Sequence, residues 1–469
     1  MLGTIDIAIV VLYLAFMLGI GVYTLKYAKS LEDYLVAGRR LVLFTYIPAM
    51  AAVVLGGAST IGTGKLGYLY GISGVWFLVM LSLGIIANGL IVAPKIIPLK
   101  IRTMGEFLEK RYDRSTRLIG SVVVAIYDLM VAVTQTIAIG TVFSAMLGWD
   151  PSLSMIIGGL VVLLYTALGG MWSVTLTDIL QFWIMTIGVL ILVPVFGFMT
   201  MQSQGLSLSQ LPSSYFDWGN VGGDTILLWF MLYFFGLMLG QDIWGRVLTA
   251  KNKKVGTIGT VAAGIYGIIY AFAAVFGGMV AYLLFSGGLE NPQYALPSFV
   301  AAVFPVGLAG IVLAGMLAAF MSTGDSCLLA ATSLIVYDVI GSLKKFSERT
   351  MLMLLRIFNV LFGIFMIVAA VAISEVLVAL DIAYLYLSAG LFIPTILGLY
   401  WKRPSPIAAK LSILASIVVA TAIALYIGWP YGFAELEPML YGLITSVVVY
   451  LIVSFIKPST EATVEQKTG

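Results

Sequence analysis

Long apolar stretches and the charges between them constrain this chain more than any other feature. Thirteen such stretches can be counted, and most are long enough to cross the ~30 Å hydrocarbon core of a bilayer as helices. We therefore predict an all-α polytopic membrane protein with 13 transmembrane helices. The stretches cover roughly residues 4–25, 42–70, 73–94, 117–147, 152–169, 175–200, 225–246, 256–286, 298–339, 351–372, 376–400, 405–427 and 433–456.

Lysine and arginine fall in alternate gaps between these stretches, while gaps such as 148–151 and 201–224 hold neither residue. The positive-inside rule places the basic gaps in the cytoplasm, the N-terminus outside and the C-terminus inside. One turn, Gly169 to Ser173, should be cytoplasmic yet is uncharged. The basic gaps contain Lys26, Lys29, Arg39 and Arg40; Lys95, Lys100, Arg102, Lys110, Arg111, Arg114 and Arg117; Arg246, Lys251, Lys253 and Lys254; Lys344, Lys345 and Arg349; and Lys402 and Arg403.

Composition excludes several classes of protein. The chain is 61% hydrophobic and 10% charged, so its net charge of +3 reflects topology and does not indicate nucleic-acid binding. It has no histidine, which excludes histidine-ligated metal centres and histidine-based catalytic relays, and we expect no enzyme activity. The single cysteine, Cys327, lies within an apolar stretch and cannot form an intrachain disulfide. We expect a multi-pass plasma-membrane protein (inner membrane if bacterial), monomeric as a functional unit, whose partners are the lipid bilayer and a small solute.

The order of the helices suggests an internal repeat. Five consecutive helices run from 42–70 to 175–200, and another five run from 225–246 to 376–400. Because five is odd, equivalent helices cross in opposite directions, which is the arrangement of inverted-repeat transporters. The predicted organisation is an extra N-terminal helix and cytoplasmic loop (1–40), the two repeats (41–202 and 203–403), two C-terminal helices (404–456) and a disordered cytoplasmic tail (457–469).

The first helix of each repeat has a glycine-rich interruption. One lies in Gly56-Gly57-Ala58-Ser59-Thr60 and the other in Gly236-Leu237-Met238-Leu239-Gly240. Glycine costs about 0.5–1 kcal/mol relative to alanine inside a helix, so such clusters mark unwinding or close packing. Their occurrence at matching positions favours discontinuous helices, whose free carbonyls can hold a cation and a polar solute at the midplane.

Polar residues inside the predicted ninth helix indicate a binding site. Ser322, Asp325 and Ser326 share one helical face, and Thr323 is adjacent. Hydroxyl and carbonyl oxygens suit a hard cation such as Na⁺, although serine and threonine can also bond to their own helix. Asp325 favours the functional interpretation, because an ionisable group in the membrane is expensive.

Three further charged residues allow more than one interpretation. Asp178 could be a helix cap or a cation ligand. Asp128 and Lys65 could pair with each other, form another ion pair in the bundle or contact a solute, and Lys65 could also reach the outer interface.

Four segments together resemble the sodium:solute symporter family, which has the LeuT-type fold. They are Ser30 to Arg39, the Gly169-Gly170 to Gln181 stretch with its Thr177-Asp178 pair, Ala319 to Ser326 continuing to Tyr337-Asp338, and Gly398 to Arg403. The resemblance covers nearly the whole chain and implies coupling to Na⁺. It implies Na⁺ ligands at the carbonyls of Ala52, Leu55 and Ala319 and the hydroxyls of Ser322 and Thr323.

The resemblance also implies a second cation site in some members, which would involve Asp178, Ser322, Asp325 and Ser326. Two positions depart from the family pattern, because small or hydroxylated residues are more usual at Asp325 and small residues at Lys65. The implied solute pocket comprises Gly56, Gly57, Ser59, Thr60, Lys65, Asp128, Gln135, Gln241, Asp242 and Tyr386, with Trp76 and Trp244 as further aromatic walls.

The expected function is Na⁺-coupled import of a small polar organic solute by alternating access, with Na⁺ as the co-transported ion. Lys65 in the pocket would favour an amino acid or another carboxylate, a free Asp128 would favour an amine, and a pair between them would give a neutral pocket. A transporter of the same fold that is proton-coupled or uncoupled, using Asp325 or Lys65, is the main alternative. A channel or membrane sensor fits less well, because the sequence shows no signalling domain and no repeated polar lining.

Overall fold

The computed structural model describes residues 3–24, 30–401 and 405–458, leaving aside the side chains of residues 165 and 167–169. Within these ranges the regular secondary structure is helical, apart from one isolated backbone bridge. The basic residues Lys26, Lys29, Lys402 and Arg403 and the tail from residue 459 lie outside the described residues.

Most of the described helices are apolar and long. Ten are long and apolar enough to cross a membrane, which confirms the predicted all-helical membrane architecture but not the count of 13. Three shorter apolar helices are Leu43–Val54, Pro151–Leu164 and Gly223–Phe234. The ten candidate spans are Thr4–Thr24, Ala58–Leu99, Arg114–Leu147, Gly170–Gln204, Lys253–Phe285, Leu308–Leu343, Glu348–Ile373, Val376–Tyr400, Pro406–Ile427 and Leu436–Ile456.

The first interrupted helix begins as Leu43–Val54 and resumes as Ala58–Gly62 and Thr63–Tyr70. Leu55 ends the first half with φ −94° and ψ 52°, outside helical values. The glycines here allow close packing, because a Cβ on Gly57 would lie 2.3 Å from the Cβ of Ala138. The sequence-predicted break is therefore present and packs tightly against the helix Arg114–Leu147.

The second interrupted helix has an analogous break. It runs as Gly223–Trp229 and Phe230–Phe234, turns at residues 237–240, and resumes as Gln241–Thr249. Gln241–Thr249 extends beyond residue 246, where the apolar stretch was expected to end. Arg246 therefore lies inside a helix, where it is buried.

A short backbone bridge joins the two interrupted helices at one end. Leu41, just before Leu43–Val54, donates its N–H to the carbonyl of Thr249 at 3.1 Å. It accepts a hydrogen bond from the N–H of Lys251 at 2.9 Å. The first half of one interrupted helix and the last half of the other are thus connected through main-chain atoms.

The helix Leu308–Ser333 forms the centre of the bundle, and we call it the central helix. It packs against Arg114–Leu147 and Pro151–Met185, and every residue from 312 to 333 is buried. This burial explains how Ser322, Thr323 and Asp325 can lie at membrane depth, because they face protein rather than lipid.

The uncharged turn predicted near Gly169 coincides with an interruption at Gly170. Its φ of 59° and ψ of −163° lie outside helical values within Pro151–Met185. A Cβ at this position would lie 2.6 Å from the ring of Tyr34, so both the conformation and the contact require glycine.

Candidate ion and solute site

Three successive carbonyls at the first break accept hydrogen bonds from hydroxyl groups. Ser322 donates to the carbonyl of Ala52 at 2.9 Å, and Thr323 donates to that of Val53 at 2.9 Å. Ser59, from beyond the break, donates to the carbonyl of Val54 at 2.9 Å. The carbonyls left without partners by the end of Leu43–Val54 are therefore satisfied by side chains.

The same hydroxyls also approach the central helix's own backbone. Ser322 and Thr323 lie 3.0 Å and 3.3 Å from the carbonyl oxygen of Ala319. This places the oxygens of Ala52, Ala319, Ser322 and Thr323 together at the negative end of a half-helix. Leu55 caps that half-helix, with its N–H 3.3 Å from the carbonyl of Ala52. Hard cations are held by such sets of carbonyl and hydroxyl oxygens.

Glycine at position 56 is required by this arrangement. A Cβ on Gly56 would lie 2.6 Å from Oε1 of Gln135 and 2.7 Å from Oγ1 of Thr323. Gln135 in turn accepts a hydrogen bond from the N–H of Gly57 at 2.6 Å. The first break is therefore held between the central helix on one side and Arg114–Leu147 on the other.

Two of the residues implied for a second cation site contact a buried arginine. Arg246 is 1% exposed, forms an ion pair with Asp178, and donates to Ser326 at 2.7 Å. It also donates to the hydroxyl of Thr175 at 2.9 Å. Asp325 lies alongside, since its Oδ1 is 3.3 Å from the hydroxyl of Ser326. The structure thus adds a residue that sequence analysis had assigned only to membrane topology.

A cavity of about 30 Å³ lies between the two breaks. By the same measure of volume, one water molecule needs roughly 10–15 Å³. Its lining side chains are buried, and no lysine or arginine is among them. The polar and aromatic lining residues include Ser59, Gln135, Asp242, Thr323 and Tyr384, together with the backbone of Gly56.

Several residues of the implied solute pocket lie away from this cavity. Lys65 pairs with Glu375 at 2.8 Å, not with Asp128. Thr60 shares a hydrogen bond of 2.9 Å with Tyr270.

The other outlying residues have partners of their own. The side-chain oxygen of Gln241 accepts the N–H of Met104 at 2.7 Å. Tyr386 lies 3.3 Å from the hydroxyl of Thr421 and packs on Phe433. The tyrosine that lines the cavity is Tyr384, two residues earlier in the same helix.

The two tryptophans named as possible walls also lie outside the cavity lining. Trp76 donates its indole N–H to the carbonyl of Trp218 at 2.9 Å. Trp244 is fully buried, and its indole N–H donates to the carbonyl of Met238 at 2.9 Å. Asp128, by contrast, lies beside the cavity residue Asp242, whose N–H is 3.4 Å from Oδ1 of Asp128.

Comparison with known proteins finds one matching family model and several similar transporters. The model of the sodium:solute symporter family matches residues 34–415. The high-affinity proline transporter PutP of Bacillus subtilis is 29% identical, with 95% of this chain and 96% of that protein covered. The sodium/glucose cotransporter of Vibrio parahaemolyticus is 25% identical, with 97% and 90% covered.

Solved structures agree at the level of the fold. A Na⁺-coupled sialic acid symporter in a substrate-bound, outward-open state superposes with a TM-score of 0.81 at 20% identity, covering 98% of this chain and 99% of the other. The transporter Mhp1 in a closed conformation superposes with a TM-score of 0.56 at 14% identity, covering 92% and 97%.

Proposed function

The chain belongs to the sodium:solute symporter family, and on that premise we propose how its own residues couple Na⁺ to a solute. It is a Na⁺-coupled symporter with the LeuT-type fold, in which Na⁺ is co-transported cargo. The proposal is that Na⁺ binds between the first interrupted helix and the central helix, and that the solute binds in the adjacent cavity.

The Na⁺ ligands are the carbonyls of Ala52, Leu55 and Ala319 and the hydroxyls of Ser322 and Thr323. The observation that carries this assignment is the convergence of both hydroxyls on the carbonyls at the broken end of Leu43–Val54. A hydroxyl that donates to a carbonyl can rotate and offer a lone pair when a cation arrives. When Na⁺ binds, the two hydrogen bonds between the helices are replaced by coordination of the ion to oxygens from both helices.

Thr323 connects the ion to the solute. It bonds to the first break and also lines the cavity. An ion that fixes this hydroxyl and the break therefore organises the cavity wall, and the solute favours ion binding in return. Such reciprocal coupling is typically worth about 1–3 kcal/mol.

Contacts on two sides of the cavity suggest an occluded state. On one side Lys65 pairs with Glu375, each with 19% of its side chain exposed. On the other side Gln241 bonds to the backbone of Met104. With the N-terminus outside and the C-terminus in the cytoplasm, the first contact closes the outer path and the second closes the inner path. In alternating access, the outer contact breaks while the inner contact remains formed, and then the inner contact breaks while the outer one remains formed.

The guanidinium group of Arg246 takes the place of a second Na⁺. It compensates Asp178 and bonds to Ser326, so it already provides the positive charge that a second ion would bring. We infer a stoichiometry of one Na⁺ per cycle. Asp325 remains the group that could carry a proton in the alternative mechanism, while Lys65 lies away from the ion site.

The proposed arrangement in the membrane has thirteen crossings. The ten long spans and the three shorter apolar helices support an arrangement of two inverted five-helix repeats at 41–202 and 203–403, preceded by one helix and followed by two. The solute is a small polar organic molecule, since relatives include proline and glucose transporters. An amino acid falls within this range.

The test compares Na⁺ and K⁺ on the purified full-length protein. NaCl should raise the melting temperature above that in KCl at equal ionic strength and pH, because an ion that binds only the native state stabilises it. Replacing Ser322 and Thr323 together by alanine should remove that difference. The matched control is Thr332→Ala on the same helix, whose hydroxyl bonds only within that helix, to the carbonyl of Leu328 at 2.7 Å.

A Na⁺ effect retained in the double variant would refute the ligand assignment. Equal melting temperatures in NaCl and KCl for the wild type, together with solute uptake driven by a pH gradient, would instead support the proton-coupled alternative.

A further inference from the structure

Two carboxyl groups and a thiol meet beside the central cavity. Asp128 belongs to Arg114–Leu147, Asp242 to the first turn of Gln241–Thr249, and Cys327 to the central helix. One ligand atom from each lies within 4.8 Å of the others. The three residues are 0%, 5% and 0% exposed, respectively. We call them the acidic cluster.

Each carboxyl group of the acidic cluster has one oxygen without a hydrogen-bond partner, namely Oδ2 of Asp128 and Oδ1 of Asp242. Their other oxygens face the N–H of Asp242 at 3.4 Å and the sulfur of Cys327 at 3.8 Å. The hydroxyl of Tyr127 lies nearby and donates to the hydroxyl of Tyr384 at 3.1 Å.

No positive side chain among the described residues pairs with either carboxylate. Arg246 pairs with Asp178, and Lys65 pairs with Glu375. The N-terminal end of Gln241–Thr249 favours negative charge on Asp242 but supplies no full counter-charge. Two adjacent buried carboxylates without an ion-pair partner are strongly disfavoured unless a proton or a cation neutralises them. The acidic cluster is therefore suited to a positive group that enters from outside the chain.

The cavity provides the walls for such a group. Asp242 and Tyr384 both line it, and the rings of Tyr127 and Tyr384 are in edge contact with centroids 5.0 Å apart. Carboxylates together with aromatic faces are the usual environment for ammonium groups in proteins. Because no lysine or arginine lines the cavity, its own side chains offer no counter-charge to an anionic solute.

We propose that the acidic cluster binds the positively charged nitrogen of the transported solute. This inference rests on the proposed symport function and narrows its substrate to small amines, with zwitterionic amino acids included. With the nitrogen at Asp128 and Asp242, the rest of the solute extends along the cavity toward Gly56 and Thr323 at the Na⁺ site. A carboxylate at that far end would lie beside the ion.

A bound transition metal is the competing chemistry for two carboxylates and a cysteine. The thiolate, not the thiol, is the metal ligand. Here the sulfur of Cys327 is placed to donate its proton to Asp242. That hydrogen bond favours a protonated thiol and an organic cation.

The experiment uses matched pairs of probes that differ in the charged nitrogen. Thermal unfolding of the full-length protein in NaCl and in KCl is measured with L-alanine against L-lactate, choline against 3,3-dimethylbutanol, and putrescine against butanediol, with L-proline and glucose added. At least one cationic member should stabilise the protein in NaCl while its neutral or anionic counterpart does not. Stabilisation by glucose or lactate without any effect of the cationic members would overturn the proposal, as would the absence of any cationic effect.

Isosteric variants then test the residues. Asp128→Asn and Asp242→Asn should each weaken binding of the stabilising cation by roughly 30-fold or more, because each removes one partner of a buried charge pair. Asp217→Asn, in an exposed loop, is the control. The melting-temperature difference between NaCl and KCl without solute shows whether each variant is folded with its ion site intact. Unchanged cation affinity in both variants would refute the proposal.

Three further outcomes separate the hypotheses. If Na⁺ fails to stabilise even the wild type, the symport mechanism itself fails. If Na⁺ stabilises it but the charged nitrogen makes no difference, only the acidic-cluster proposal fails. Stabilisation by ZnCl₂ or MnCl₂ alone, lost in Cys327→Ala, would replace the amine site with a metal site.

Discussion

Arg246 and Asp178 form an ion pair in the interior of the bundle, among the residues that the family resemblance implies for a second cation site. Removing one partner of a buried ion pair typically costs roughly 3–5 kcal/mol, because the other charge is left uncompensated. We therefore expect Arg246→Gln to lower the melting temperature in KCl substantially. In NaCl the variant should recover more stability than the wild type gains, because Asp178 and Ser326 become available to a second Na⁺.

The double variant Arg246→Gln with Asp178→Asn is the control, since it removes both charges and should restore stability in KCl. Binding of radiolabelled Na⁺ should show one ion per wild-type protein and two per Arg246→Gln. One ion in both proteins would contradict the inference that Arg246 replaces a cation.

The ion pair between Lys65 and Glu375 should hold the outer path closed. Lys65→Met should therefore increase the rate at which a small, membrane-impermeant thiol reagent modifies Cys327 from outside. Cys327 is the only cysteine in the sequence and is buried beside the cavity, so the native chain carries its own reporter. The charge-reversed pair Lys65→Glu with Glu375→Lys should restore slow modification. Equal rates in all three proteins would show that this pair does not control access.

Gly56→Ala should weaken Na⁺ binding by about tenfold or more, equivalent to roughly 1.4 kcal/mol. Its Cβ would lie 2.7 Å from Oγ1 of Thr323 and must displace that hydroxyl from the first break. Gly19→Ala is the matched control, because no atom lies within 4 Å of the Cβ it would add. Na⁺ titrations followed by melting temperature measure both, and equal Na⁺ affinity would contradict the proposed role of Thr323.

Acid should weaken the ion pairs that Glu32 forms with Arg39 and Arg102 on the proposed cytoplasmic side. Partial burial alone would raise the pKa of Glu32, but hydrogen bonds from Arg102 and Arg39 and their charges lower it below its ordinary value of 4.5. A depressed pKa stabilises the folded state above that ordinary value, and the contribution is lost as pH falls through the lower folded pKa. Glu32→Gln should therefore reduce the loss of melting temperature between pH 5 and pH 3. The same acid sensitivity in the variant would assign the effect to other carboxylates.

The sequence predicted the broad architecture because apolar length, charge asymmetry and glycine clusters act locally. The break near Gly56 and Gly57 could be located without coordinates for the same reason. Helical periodicity indicated the polar face that includes Ser322, and the family resemblance added Thr323. The structure brings both hydroxyls to the carbonyls of Ala52 and Val53.

Partners distant in sequence could not be predicted in this way. Lys65 and Glu375 are 310 residues apart, and no local pattern links them. Tyr384 and Tyr386 belong to one apolar helix, and only packing shows which ring faces the cavity. Arg246 was assigned to a loop, although the apolar residues Val247 and Leu248 after it were a signal that the helix continued.

The backbone bridge at Leu41 connects the two interrupted helices through main-chain hydrogen bonds. One carries the carbonyls proposed to hold Na⁺, and the other carries Asp242, proposed to hold the solute. A symporter dissipates its gradient whenever the ion slips across alone, and independent movement of these two segments would permit such slippage. Because main-chain hydrogen bonds join them at Leu41, Thr249 and Lys251, we expect the two segments to move together, and such joint movement would limit slippage of the ion without the solute.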